Sequence, residues 1–160
     1  VAKLQTDVAW SLGQLGRRGE AEPLLRQALA RYEELVRHDP GDRRLGRQAA
    51  AAEAQAAQLH AAWREADAVA RHAERALALA TRVRDASPGD ATSRMQLATV
   101  QTQVGAAHEA LGGTAVPACA AYRAALDGWT ALEAEQRVRP GDRWRFDEAR
   151  AGMQRCELRR

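Results

Sequence analysis

The sequence predicts an all-α fold of stacked helical hairpins, and three observations predict it. The first is composition. Hydrophobic residues make up 46% of the chain, much of it alanine, while aromatics reach only 4%. Alanine is the strongest helix former, and a core poor in bulk must be filled by helices that approach closely through small faces. The second is Pro-Gly-Asp, which occurs at 40–42, 88–90 and 140–142, at spacings of 48 and 52 residues. Proline ends a helix, glycine allows the reversal and aspartate can cap the next helix, so nearly equal spacing marks a repeat. The third is a series of apolar stripes at three- and four-residue steps, as one face of a helix requires.

The elements follow in order. Val1, Leu4, Val8, Leu12 and Leu15 form the stripe of a first helix, which Gly16-Arg17-Arg18-Gly19 breaks. Leu25, Ala28, Leu29, Tyr32 and Leu35/Val36 mark the second helix, with Pro23 expected in its first turn, where a missing N–H is harmless. The middle unit runs on alanine from Ala49 to Ala62. It turns near Trp63–Ala66 without a glycine and continues through Val69, Ala73, Ala76, Leu77, Ala80 and Val83. Leu97, Val100, Val104, His108 and Leu111 carry the next stripe up to Gly112-Gly113. Pro117 then opens a helix bearing Ala118, Tyr122, Ala125, Leu126, Trp129 and Leu132. A last helix near 143–158 shows Phe146, Ala149, Met153 and Cys156 on one face and arginines elsewhere, the pattern of a solvating end cap. The chain therefore reads as one domain over 1–160: repeats 1–42, 43–90 and 91–142, then a capping helix at 143–160.

Charge and cysteine content bound the function classes. Charged residues are 28% and the net charge is +3, with Lys3 the only lysine. The basic character belongs to the C-terminal end, where residues 137–160 hold eight arginines against four acids. Cys119 and Cys156 fall at apolar helical phases in different hairpins and read as two buried free thiols. No apolar stretch approaches the length of a membrane span. The chain starts at Val1 rather than Met, inside a helical pattern, as a piece of something longer would.

In order, Ala9, Leu12, Gly16, Ala21, Leu25, Ala28-Leu29 and Pro40 resemble the tetratricopeptide pattern, and Gly105, His108, Gly112, Ala118, Tyr122, Ala125-Leu126 and Pro140 resemble it again. The resemblance implies a right-handed tetratricopeptide-like α-solenoid of three long hairpins plus the cap. The family's unit has about 34 residues. Here about seven more fall between Ala28-Leu29 and Pro40, and about seven after Asp42, two helical turns at each place. Such long repeats look similar to those C-terminal to kinase or regulator domains in bacterial signalling proteins, such as Ser/Thr kinases.

The resemblance also implies an inner wall built from the first helix of each hairpin. By position it would comprise Lys3, Thr6, Trp10 and Gln14, then Ala54, Gln58 and Ala61, then Thr102, Ala106 and Glu109. Where some members clamp a carboxylate with lysine, asparagine and arginine, this chain has Thr6, Trp10, Ala54, Gln58, Thr102 and Ala106, so that function is not expected. Trp10 stands out as a binding anchor, whereas Trp63, Trp129 and Trp144 read as packing at helix junctions.

His60 and His108 occupy equivalent repeat positions and raise a metal or pH-sensing pair, but packing is the simpler reading; His38 and His72 read as single surface residues. Gly112-Gly113-Thr114 is too short for a phosphate loop, and no nucleophile–base pair or carboxylate pair stands out, so no catalysis, cofactor or metal is expected. Arg143, Arg145, Arg150, Arg155, Arg159 and Arg160 form a basic patch that would suit an acidic partner or nucleic acid, although interleaved acids argue against the latter. The expected function is a protein–protein interaction scaffold for a peptide or partner helix, in a cytoplasmic setting. Self-association into a homo-oligomer, or contact through the arginine-rich end, are the alternatives.

Overall fold

A computed structural model describes residues 1–112 and 115–158. Gly113, Thr114, Arg159 and Arg160, named above for a turn and for the basic patch, lie outside the described residues. The described chain is all-α: α1 (Ala2–Gln14), α2 (Arg18–His38), α3 (Arg43–Ala62), α4 (Ala66–Asp85), α5 (Ala91–Leu111), α6 (Ala115–Ala134), a 3₁₀ turn (Pro140–Asp142) and α7 (Arg143–Glu157). No strand occurs among the described residues. Each helix packs on its sequence neighbour, except across the 3₁₀ turn, where α6 packs on α7. In addition α1 packs on α3, α3 on α5, and α5 on α7.

The junctions are local chemistry repeated. Asp42 accepts a hydrogen bond from the Leu45 N–H at 3.0 Å. Asp90, 48 residues on, accepts from the Thr92 and Ser93 N–H groups at 3.2 Å each. Both carboxylates occupy orphan donors at a helix N-terminus. The third aspartate departs from the expectation: Asp142 makes no cap bond and instead receives Arg145 at 2.7 Å. Inside the hairpins, Gly16, Arg64 and Gly112 end α1, α3 and α5 with φ of 73°, 63° and 71°. They too stand 48 residues apart. After the first two, the Arg17 and Glu65 N–H groups reach back to Leu12 and His60 carbonyls at 2.9 and 3.0 Å, closing the same left-handed cap.

That register identifies which face of each first helix packs. Ala2, Thr6 and Ala9 are buried in α1; so are Ala50, Ala54 and Ala57 in α3, and Ala98, Thr102 and Gly105 in α5. Even the two threonine hydroxyls behave alike, each donating to the carbonyl four residues back at 2.9 Å. The expected large stripe of α1 is different. Val1, Leu4, Val8 and Leu15 are 94%, 67%, 40% and 72% exposed. The equivalents of Val1, Leu4 and Val8 in α3 (Ala49, Ala52, Ala56) and α5 (Leu97, Val100, Val104) are buried because the preceding hairpin covers them. Nothing covers α1.

Further corrections follow. Cys119 and Cys156 are not free thiols: they form a disulfide joining α6 to α7, with Cα atoms 5.6 Å apart. In sequence, two cysteines at buried helical phases look the same bonded or free. Pro23 lies in the second turn of α2, because the helix begins at Arg18. Trp129 is fully buried, stacked 6.3 Å from Phe146, but Trp144 is 57% exposed under the Arg145 guanidinium. The apolar face of α7 is buried as its pattern predicts.

Candidate functional site

The residues of the expected inner wall do not assemble into one surface. Thr6, Ala54, Ala61 and Thr102 are buried between helices, since small side chains are what let these helices approach. Gln58 and Ala106 are half-buried, Gln14 is exposed, and exposed Lys3 pairs with Asp7 at 2.6 Å. Trp10 is half-buried against the cluster of Ala9, Leu25, Ala56 and Leu59, at the junction of α1 with α3. Glu109 accepts two bonds from Arg155 at 2.8 Å and one from the Tyr122 hydroxyl at 2.9 Å. Burial, and secondarily the Glu109 carboxylate, raise the Tyr122 phenol well above its ordinary range.

The described arginines of the basic patch are likewise engaged. Arg143 pairs with Glu133, Arg145 with Asp142, Arg150 with Asp147 and Arg155 with Glu109.

A concave site does form elsewhere, between α2 and α4 over the floor of α3. Its main part is a groove of about 660 Å³. Leu29, Tyr32, Val36, Ala49, Ala78 and Leu79 supply an apolar lining; Glu33, Arg37, Arg75 and Arg82 supply the charge. A second hollow of about 290 Å³ continues it past Glu53 to His60 and His72. From Ala49 to His60 the floor spans about 16 Å at the helical rise. Arg37, Arg75 and Arg82 form no ion pair or hydrogen bond among the described residues.

The far end of the groove is held by a polar network inside an alanine-rich interior. His72 of α4 donates through Nδ1 to Glu53 of α3 at 2.6 Å, with both side chains largely buried. His60 donates through Nδ1 to Glu65 at 2.5 Å, and Arg18 of α2 reaches the same carboxylate. The two imidazoles stack at 4.9 Å, and Arg18 also lies 4.8 Å above the Trp63 ring. Burial lowers the His60 pKa against the opposing bond to Glu65, and neighbouring His72 adds to the lowering. The bonds from His60 and Arg18 hold the Glu65 carboxyl below its ordinary value. His60 is thus partnered with His72 rather than with His108, and His72 is no isolated surface residue. Among the described residues no group of three or more His, Cys, Asp or Glu side chains can hold a metal.

Sequence reasoning missed this site, although one signal was present. Glu53 is the single acid in the run from Ala49 to Ala62, on a helix that is otherwise nearly all alanine at its contact faces. A charge at such a position needs a partner. The arginines of the rim carry no comparable mark, because arginine is everywhere in this chain.

No helix among the described residues is long and apolar enough to cross a membrane. Comparison of the chain with known protein families, with curated proteins and with solved structures finds no match in any of the three.

Proposed function

We propose that this chain is a helical-repeat interaction module, a tetratricopeptide-like right-handed solenoid, that binds a peptide or partner helix and catalyses nothing. The observation that carries the reading is the α2–α4 groove of about 660 Å³: an apolar lining of Leu29, Tyr32, Val36, Ala49, Ala78 and Leu79 beside three arginines that have no partner among the described residues. A guanidinium in such a position is available to a carboxylate, and an apolar floor takes the face of a short helix or strand. The ligand class is therefore an acidic amphipathic peptide. The 48-residue register of caps and turns supports the repeat reading. By its likeness to long repeats of bacterial signalling proteins, the segment would serve in a larger protein of that kind. The Cys119–Cys156 bond favours an oxidising setting over the cytoplasmic one suggested by the sequence, since disulfides rarely persist in a reducing cytosol.

The test is fluorescence polarisation with a panel of labelled acidic amphipathic peptides and scrambled, charge-neutral controls. Saturable binding, weakened at least tenfold by Arg75→Glu with Arg82→Glu and by added salt, is the expected result. If no peptide binds, or if the double variant binds as well as the parent, the groove is not the site.

A further inference from the structure

The α4 wall of the groove has a regular pattern. Arg75, Ala78, Leu79 and Arg82 all line the groove, at offsets of 3, 4 and 7 residues, which is one face of a helix over two turns. An arginine without a partner among the described residues stands at each end of that face, and apolar Ala78 and Leu79 lie between. The two arginines are about 10.5 Å apart along the helix axis. The opposite wall does not answer them. Glu33 of α2 lines the same groove, yet it pairs with neither Arg75 nor Arg82. Both α2 and α4 pack on α3 and not on each other, so a gap is left between them over α3.

The arginine spacing separates the two backbones that could bring carboxylates to it. In a helix, residues seven apart lie on one face at the same interval of about 10.5 Å, and the third and fourth residues lie on that face between them. A strand keeps to one face only at even offsets, which give about 6.7 Å or about 13 Å. The helix matches and the strand does not.

We propose, resting on this groove as the binding site, that its occupant is a helix of a partner protein with two carboxylates seven residues apart and apolar residues at the third and fourth places between them. Each carboxylate meets one guanidinium, and the apolar pair covers Ala78 and Leu79. Opposite-charge contacts of this kind fix register more than they add affinity. A carboxylate turned towards Glu33 is repelled, so the acids of the ligand are gathered on its α4 side.

Fluorescence polarisation with labelled peptides of one composition tests this. The first peptide carries glutamates seven residues apart with leucines at the third and fourth places. The second has its glutamates five apart, which puts them on opposite faces of a helix, and the third has a central proline that breaks the helix. The first should bind at least fivefold tighter than either of the others. Arg75 and Arg82 are exposed, so Arg75→Gln and Arg82→Gln should leave the helical signal unchanged. In double-mutant cycles, Arg82→Gln should make the glutamine replacement of one peptide glutamate silent while the other stays costly, and Arg75→Gln should do the reverse. Equal binding of the three peptides, or arginines that couple alike to both glutamates, overturns the helical seating and leaves the groove to an extended acidic segment. If none of the three binds, the groove reading falls and the helix falls with it, so the two failures are distinguishable.

Discussion

Gly152 of α7 lies against the ring of Tyr122 of α6 so closely that a Cβ built on it would sit 2.4 Å from Cε1. A Cβ at Gly105 of α5 would meet Cδ1 of the same ring at 2.8 Å. Tyr122 is fully buried. Gly152→Ala and Gly105→Ala should each destabilise the fold by about 1–3 kcal/mol, the usual cost of overfilling a packed core. Gly19→Ala, where nothing lies within 4 Å, is the control and should leave stability unchanged or slightly raised. Urea denaturation midpoints decide between them.

The disulfide closes a loop with a sequence separation of 37 residues. Replacing Cys119 and Cys156 together by serine should cost roughly 2–4 kcal/mol. Calorimetry should show a lower melting temperature that reduction of the parent protein reproduces. Equal stability of the parent with and without reductant would contradict it.

Arg64 holds a left-handed conformation that glycine holds at Gly16 and Gly112. Its guanidinium offsets part of the cost by donating to the Ala110 and Leu111 carbonyls at 3.0 and 3.2 Å, at the end of α5. Arg64→Ala keeps the strain and loses those bonds; Arg64→Gly loses the bonds and the strain together. Glycine should therefore be the more stable variant by about 1 kcal/mol. Thermal unfolding of the two variants side by side provides the comparison.

Burial holds the pKa of both His60 and His108 below the ordinary value of 6.5. The unfolded chain then binds more protons between the lowered values and 6.5, so stability rises with pH across that window. Acidification from pH 7.5 towards 5 should lower the melting temperature, and His60→Gln with His108→Gln should flatten that part of the profile. Glu65 adds a separate loss below its ordinary 4.5, because its folded pKa is lowered too. A melting temperature that climbs on acidification would refute the assignment.

Much of the fold could be read before any coordinates, for definite reasons. The helix ends were legible because Pro-Gly-Asp and the glycine turns act locally, and α7's inward face because Phe146, Ala149, Met153 and Cys156 recur at helical spacing. What escaped depends on neighbours. The stripe from Val1 to Leu15 looks like core in sequence, yet burial depends on whether another helix lies over it. Arg64 carries no hint of a left-handed turn beyond its register with two glycines. The α2–α4 groove draws on three helices, so no single stretch of sequence displays it. Wall positions such as Thr6 and Thr102 are buried in packing, and a small side chain at a helix–helix contact leaves the same trace in sequence as one in a shallow groove.

The covalent bond between Cys119 and Cys156 also divides the molecule mechanically. The first hairpin is attached to the rest through its packing on α3 and the Arg18 contacts with Trp63 and Glu65, while α6 and α7 cannot separate even if every weak contact between them breaks. Fraying should begin at the Val1 end and stall before the cross-link, so amide hydrogens of α1 and α2 should exchange fastest and those of α6 slowest.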